Sequence, residues 1–357
     1  MLGFGRTYTT PFKEKIPASV DDFFRRVSIF KRFNRFFGRF VYAEITLRNS
    51  QKIEQITHKH QKILWIQWVD SYLGDSLMDL SGRLLLKGRR IDLLTQKNIA
   101  KIYQNDEIFT KIFSNPNACS NDYDLIIIGS YRQREIKVMP KYLLSIPHVS
   151  LYGYYNVDDF NRLYFSFYRF NQLLSNSYDS HYLSHVARPT LPITLKDKNL
   201  VNAFHFPDNF ITIVVGGANK ERIFQKWHEV IDQLIHQKIS KYIVLVGLQN
   251  AKQEAKSMAG KYPNNIINMV GKCSFNQTAE VIKKSIMLIC ADGGLLHAAN
   301  AVGTPVIGLF YYIDPLVRLI NINPSYGLVD KNNINNIETH DIVSKTRLLK
   351  ETLKNGQ

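Results

Sequence analysis

The residues best suited to binding an anion lie in two glycine-containing turns, each directly after an apolar run. Asp292-Gly293-Gly294 precedes a helical pattern with His297 in its first turn, and Gly216-Gly217 precedes Lys220. Glycines let backbone N–H groups approach an anion closely, and the start of a helix adds partial positive charge. His297 can donate to a phosphate oxygen, whereas a lone histidine is more often a satisfied core or surface residue. The two turns together predict a diphosphate site.

A single carboxylate stands at a comparable position earlier in the chain. Asp75 comes shortly after the apolar run 63–68. In an open parallel sheet, the loops at the carboxyl ends of the strands line the ligand site. Asp75 can act there as a general base, or it merely starts a helix, where acidic residues are common. Arg132 and Arg134 follow the later run 124–129 and would lie at the same edge of a parallel sheet.

These residues need strands and helices to hold them in place. The apolar runs 63–68, 90–94 and 124–129 predict buried strands, and the leucine spacing over 76–86 predicts a helix. A second series follows Pro189 and Pro192. Its predicted strands are 211–215, 242–246, the run before Asp292, and 306–310, and its predicted helices are 224–235 and 295–301. This alternation predicts an α/β protein with two Rossmann-like parallel sheets.

The chain length of 357 residues and the positions of these series predict three parts. Residues 1–60 form a basic, helical N-terminal extension, residues 61–190 a first Rossmann-like domain, and residues 191–357 a second one. An alternative for the last helix is that it packs back on the N-terminal domain.

The N-terminal extension combines an aromatic stripe with positive charge. Ser19 is a suitable helix start, and from there aromatic and apolar residues recur at steps of three or four, namely Phe23, Val27, Phe30, Phe33, Phe37 and Phe40. Residues 1–62 hold thirteen Lys and Arg against five Asp and Glu, half of the net charge of +16. Residues 19–41 suit either an anionic membrane surface or the protein's own core. No nucleic-acid-binding motif accompanies the charge.

Composition and motifs exclude several classes of protein. A hydrophobic fraction of 45% excludes wholesale disorder, and no apolar stretch approaches the length of a membrane span. The N-terminus lacks a signal-peptide pattern, so we expect a cytoplasmic protein. Neither series carries the complete glycine turn of a nicotinamide dehydrogenase. The three cysteines show no metal-ligand spacing, and we expect neither a metal nor an organic cofactor.

The run Ala291-Asp292-Gly293-Gly294-Leu295-Leu296-His297, followed by Gly303-Thr304-Pro305, resembles the donor-site motif of the ADP-heptose lipopolysaccharide heptosyltransferases, glycosyltransferase family 9. The order of landmarks agrees as well, from Gly74-Asp75 through Lys220 and Gly271-Lys272 to Asp314-Pro315. The resemblance covers roughly residues 61–330.

The resemblance implies the GT-B architecture, in which two Rossmann-like domains face each other across a cleft. Residues 61–190 would then be the acceptor domain and residues 191–357 the nucleotide-sugar-binding domain. The resemblance further implies inverting, metal-independent transfer of heptose from ADP-heptose to a lipopolysaccharide core at the cytoplasmic face of a Gram-negative inner membrane. Asp75 would be the general base. The residues that would hold the donor are Gly217, Lys220, Arg222, Asp292, Gly293, Gly294, Leu295 and His297. Arg132 and Arg134 are the acceptor candidates.

Two departures from the family pattern leave alternatives open. Gly293 stands where the family usually has Ser or Thr, which removes a hydroxyl, and Arg222 can compete with Lys220 for the phosphate. The alternatives are a GT-B transferase with another nucleotide sugar, and a non-catalytic scaffold that binds a sugar nucleotide or lipid.

Overall fold

The computed structural model describes residues 29–68, 72–154 and 161–355. The chain divides into two compact units, with the boundary between Ala187 and Arg188. Each unit is built on a parallel sheet with helices, so the predicted α/β fold class with two parallel sheets is confirmed. The predicted helix start at Ser19, with Phe23 and Val27, lies outside the described residues.

The N-terminal unit alternates short strands and helices. Its strands are β1 (Lys62–Gln67), β2 (Arg90–Thr95), β3 (Phe109–Phe113), β4 (Leu125–Ile128) and β5 (His148–Ser150). Its helices are α1 (Ile29–Thr46), α2 (Leu73–Asp79), α3 (Lys97–Tyr103), α4 (Gln133–Lys137), α5 (Arg162–Leu173) and α6 (Ser180–Val186). Short 3-10 segments cover Leu80–Leu86, Pro116–Ala118 and Lys141–Leu143.

The strand order β3-β2-β1-β4-β5 places β1 at the centre of the N-terminal sheet. Trp65 of β1 lies opposite Leu93 of β2 and Ile127 of β4, and all three side chains are fully buried. Such continuous apolar strands are typical of a parallel sheet covered on both faces. From β1 the chain moves outward to β3 and then returns to β4 on the other side. The switch point between β1 and β4 is where open α/β sheets bind ligands.

The helix α1 packs on this unit with only part of its apolar surface. Phe36 and Ala43 are buried in a cluster with Tyr154 and residues of the sheet, and Phe40 packs against the same cluster. Phe30 and Phe37 are instead exposed. The predicted aromatic stripe is therefore wider than the packed face, because Phe37 and Phe30 lie about 100° and about 120° around the helix axis from the buried Phe36.

The C-terminal unit repeats the alternation. Its strands are β6 (Ile211–Val215), β7 (Ile243–Gly247), β8 (Ile266–Asn268), β9 (Met287–Ala291), β10 (Val306–Tyr311) and β11 (Ser325–Asp330). Its helices are α7 (Leu195–Asn202), α8 (Trp227–His236), α9 (Lys252–Lys261), α10 (Phe275–Lys284), α11 (Gly294–Val302) and α12 (Thr339–Asn355). Short 3-10 segments cover Lys220–Arg222, Gln249–Ala251, Pro315–Val317 and Ile334–Asn336.

The strand order β11-β10-β9-β6-β7-β8 gives the C-terminal sheet its own switch point, between β6 and β9. The two turns that predict a diphosphate site follow these two strands. The last helix, α12, packs on α8, and its Ile342 and Leu349 are fully buried in the cluster that contains Trp227.

The predicted strands agree with the observed ones to within one or two residues, but two helices differ. The helix predicted over 76–86 is α-helical only to Asp79 and continues as a 3-10 segment to Leu86. The helix predicted to begin at Phe224 begins at Trp227, and Phe224 packs against the Trp227 ring.

Candidate active site

The turn between β9 and α11 has the geometry of an anion site. Asp292 donates its backbone N–H to the Leu309 carbonyl at 2.8 Å, which fixes the turn against β10. Gly293 is the N-cap of α11 and supplies no side-chain cap. Among the described residues, the atom nearest to a Cβ at Gly293 would be the Ala291 carbonyl oxygen at 3.9 Å, so there is room beside the turn. Because the first N–H groups of a helix lack intrahelical acceptors, Gly294 and Leu295 present donors to this space.

The helix α11 is held firmly against the sheet. Ala298 and Ala299 are fully buried, and their small side chains let the helix backbone approach the strands. His297, in the first turn, is also buried, with 3% of its surface exposed. Gly303 ends the helix in the left-handed conformation, with φ of 79°. The start of α11 therefore has a fixed position relative to β9.

The loop after β6 approaches the neighbouring segment too closely for any residue but glycine. Gly216 has a φ of +75°, and a Cβ there would lie 2.7 Å from the Ala251 Cβ. Gly217 accepts a hydrogen bond from the Asn250 side chain at 2.8 Å. The 3-10 turn that follows places Lys220 at the surface, and within the described part of the chain Lys220 pairs with no carboxylate.

Asp292 contacts two arginines, and one of them, Arg222, belongs to the loop after β6. Its Oδ2 atom lies 3.1 Å from Arg222 Nη1, and its Oδ1 atom lies 3.7 Å from Arg318 Nε. The Arg222 contact is an ion pair without hydrogen-bond geometry. The Asp292 side chain is almost fully buried, and two cations offset its charge. Asp292 thus holds the loop after β6 beside the start of α11.

The structure places Asp75 in the first turn of α2, just after the centre of the N-terminal sheet. Its side chain is about one-quarter exposed, and its Oδ2 atom lies 3.1 Å from Arg162 Nη1. Arg162 comes from the start of α5 and is 97% buried. A partly exposed carboxylate beside a buried guanidinium has few orientations available, as a general base requires.

The same guanidinium is anchored by Asp79, one turn further along α2. Arg162 Nε donates to Asp79 Oδ1 at 2.8 Å, and Nη2 donates to Asp79 Oδ2. Tyr152 and Gln67 also donate to this carboxylate, at 2.6 and 2.8 Å. Burial raises the pKa of Asp79, and the charge of Arg162 opposes that rise. The bidentate pair fixes the plane of the guanidinium and leaves Nη1 directed at Asp75.

Arg132 and Arg134 lie at the carboxyl end of β4, across the switch point from the segment after β1. Arg132 is the N-cap of α4, and burial lowers the pKa of its guanidinium, which Glu135 partly offsets. Arg134 lies in the first turn of α4 and is half-buried. Asp75, Arg132 and Arg134 thus belong to the N-terminal unit, whereas the donor candidates belong to the C-terminal unit.

The sequence analysis missed Arg162, Asp79 and Arg318. Asp79 could have been predicted, because residues four apart on a helix share a face and Asp75 was already a candidate. Arg162 lies in a tyrosine-rich segment that the sequence assigns to packing and surface. Among the described residues, no group of three His, Cys, Asp or Glu is placed to hold a metal ion.

Comparison with known proteins identifies the family of the chain. The family model "Glycosyltransferase family 9 (heptosyltransferase)" matches residues 168–347, half of the chain. The chain belongs to glycosyltransferase family 9 and is a glycosyltransferase. A search of curated proteins found no significant match.

Solved structures with low sequence identity share the fold. A family 9 glycosyl transferase from Veillonella parvula is 13% identical, with 83% of this chain and 98% of that one covered, at a TM-score of 0.67. ADP-heptose lipopolysaccharide heptosyltransferase II of E. coli is 16% identical, with 82% of this chain and 99% of that one covered, at a TM-score of 0.60. An E. coli heptosyltransferase solved with ADP is 15% identical, with 82% of this chain and 98% of that one covered, at a TM-score of 0.58. The likeness confirms the GT-B fold.

Proposed function

We propose that this enzyme transfers heptose from ADP-heptose to a lipopolysaccharide core acceptor, with inversion at the anomeric carbon and with Asp75 as the general base. The observation that carries the proposal is the Asp75 carboxylate, held by a buried arginine at the switch point of its sheet. The E. coli structures solved with ADP and with an ADP-heptose analogue support the choice of donor.

The reaction needs one proton acceptor in the N-terminal unit. The acceptor hydroxyl oxygen forms a bond to the anomeric carbon as the bond from that carbon to the ADP oxygen breaks. The hydroxyl proton passes to Asp75, and ADP leaves with the bonding electrons. Because attack and departure take place on opposite faces, the configuration at the anomeric carbon inverts. Arg162 orients Asp75 but does not touch the substrate.

The departing ADP needs positive charge, and the C-terminal unit can supply it. The N–H groups of Gly294 and Leu295 and the ammonium of Lys220 are the proposed diphosphate donors, with Gly217 and Gly293 leaving room for the backbone to approach. His297 adds a side-chain donor in the first turn of α11. Because Asp292 already pairs with Arg222, we assign Asp292 the role of ordering the turn.

The acceptor side of the proposal rests on charge. Arg132 and Arg134 follow β4 beside the segment that contains Asp75, and their guanidinium groups can bind acidic groups of an acceptor. We assign these two arginines to the acceptor, at the cytoplasmic face of a Gram-negative inner membrane. Arg132 has the firmer position of the two because it is largely buried at the N-cap of α4.

The experiment that tests this function compares donors. The enzyme is incubated with a heptose-free core oligosaccharide and one donor at a time: ADP-heptose, ADP-glucose or UDP-glucose. The masses of the products are then measured by mass spectrometry. We expect the mass of one heptose to be added only with ADP-heptose. Transfer from ADP-glucose or UDP-glucose instead would support the alternative of a GT-B transferase that uses another nucleotide sugar. No transfer from any donor, together with intact ADP binding, supports the scaffold alternative.

A further inference from the structure

The helix α1 has a packed apolar face and a second apolar face whose side chains are exposed. The covered face packs on the N-terminal sheet and consists of Phe36, Phe40, Ala43 and Leu47. The second face consists of Phe30, Phe33, Phe37, Val41 and Ile45, each at least 39% exposed. Steps of three and four residues place the second set along one side of the helix, over about 22 Å.

The exposure of the second face is large for apolar side chains. Phe30 is 75% exposed, Ile45 67% and Phe37 57%. Phe33 and Phe37 stack on each other with ring centroids 6.0 Å apart, so they form a continuous apolar surface. Contiguous exposed patches of this kind mark sites of protein or membrane interaction, whereas scattered apolar residues do not.

The charge around this face selects the kind of partner. Residues 29–50 contain five Lys and Arg against one Glu, within an N-terminal stretch whose net charge is +8. A second copy of the chain would bring the same positive segment against itself, which is unfavourable. A surface of anionic lipids offers both acyl chains for the aromatic rings and phosphates for the cations.

The helix is built to lie on a membrane and not to cross one. Within residues 29–68, 72–154 and 161–355, no helix is long and apolar enough to span a bilayer. The strong segregation of apolar and polar residues in α1, together with its low mean hydropathy, is typical of interfacial helices. We infer that the Phe30–Ile45 face of α1 binds an anionic bilayer surface while the Phe36 face fixes the helix to the enzyme.

The test is vesicle flotation of the full-length protein, with neither donor nor acceptor present. Vesicles of phosphatidylcholine with phosphatidylglycerol are compared with vesicles of phosphatidylcholine alone. The variant is Phe30→Ser with Phe37→Ser, both at exposed positions, so we expect an unchanged melting temperature. The matched control is Leu195→Ser with Leu200→Ser, two exposed apolar residues on α7.

We expect the wild type and the control to float with phosphatidylglycerol vesicles, and the wild type to float far less with phosphatidylcholine alone. The Phe30/Phe37 variant should lose at least about tenfold in partitioning, because two rings no longer enter the acyl boundary. Equal flotation of this variant and the wild type would overturn the inference. So would a wild type that fails to float and forms a dimer that the variant cannot form, since the face would then belong to a second copy.

The outcome is independent of the proposed reaction, because flotation needs neither sugar nucleotide nor core. Activity of the Phe30/Phe37 variant on a lipid-free core oligosaccharide should equal that of the wild type. Loss of flotation with this activity retained separates membrane binding from catalysis.

Discussion

Arg162 places its Nη1 atom 3.1 Å from Asp75 Oδ2 while its Nε atom donates to Asp79 Oδ1 at 2.8 Å. One buried guanidinium therefore links a partly exposed carboxylate to a fully buried one. Asp79 fixes the arginine, and the arginine fixes Asp75. The proposed base thus depends on a residue far away in the sequence.

Replacement of Arg162 by lysine should impair the proposed base without removing the positive charge. A lysine cannot form the two parallel bonds to Asp79 and still reach Asp75. We expect kcat/KM for transfer to fall at least about tenfold, the scale of one lost charge-assisted hydrogen bond. The loss should appear in kcat, while the affinity for ADP stays that of the wild type, because only the orientation of Asp75 changes.

The matched control is Arg83→Lys, which weakens another buried arginine pair of the same unit, with Asp106 at 2.6 Å. It should lower the melting temperature but leave kcat close to the wild-type value. A wild-type kcat for Arg162→Lys would show that Arg162 has a structural role only.

Lys220→Ala tests the proposed diphosphate site of the C-terminal unit. Loss of one charge-assisted contact should weaken ADP binding by about 1 to 3 kcal/mol, measured by calorimetry. Lys256→Ala, an exposed lysine on α9, is the control and should bind ADP like the wild type. Unchanged affinity in Lys220→Ala would transfer the role to Arg222, despite its pairing with Asp292.

Glu135 should make stability depend on pH. The residue is fully buried, accepts hydrogen bonds from the Ser130 backbone and hydroxyl, and has a pKa raised by burial from 4.5 to about 7. The folded protein therefore holds this proton more tightly than the unfolded chain does. The contribution of this proton to the free energy of unfolding, about 3 kcal/mol, is complete below pH 4.5 and is lost as the pH rises through 7.

Burial lowers the pKa of His148 from 6.5 to about 4, so His148 makes the free energy of unfolding rise with pH over nearly the same range. The effect of Glu135 must therefore be measured as the difference in stability between the wild type and a variant at position 135. Urea unfolding of the wild type and of Glu135→Gln, from pH 4.5 to 8, should show the variant gaining stability relative to the wild type as the pH rises. A constant difference across this range would refute the pKa assigned to Glu135.

Transfer should proceed in EDTA at the rate found with Mg²⁺. In the proposed mechanism, Lys220, His297 and the start of α11 neutralise the leaving diphosphate, which leaves no step for a divalent ion. The measurement is the initial rate of heptose transfer after exhaustive chelation. Loss of activity that Mg²⁺ restores would contradict this part of the mechanism.

The local elements of both units could be predicted from the sequence, because each depends on neighbouring residues. The strand β6, the strand β9 and the helix α11 each combine an apolar run with a glycine turn, and the observed bounds follow closely. The position of Asp75 after β1 followed from the same rule about the carboxyl ends of parallel strands. The donor candidates lie in adjoining turns because β6 and β9 are neighbours.

Long-range pairing and the choice of packed face could not be predicted. Arg162 and Asp79 are 83 residues apart, and nothing near Arg162 indicates a carboxylate partner. In α1, apolar spacing identifies amphipathic character but cannot tell which rings meet the sheet. Phe40 and Phe37 look equivalent in the sequence, yet Phe40 packs beside Tyr154 and Phe37 is exposed.

The most direct test of the central claim is a single-turnover measurement of heptose transfer by the wild type and by Asp75→Asn, with ADP affinity determined on the same samples. Asparagine keeps the size of the side chain but cannot take the acceptor proton. The proposed mechanism predicts ADP binding within about twofold of the wild type and transfer slower by at least about a hundredfold. Transfer by Asp75→Asn at the wild-type rate would contradict the role of Asp75 as the base.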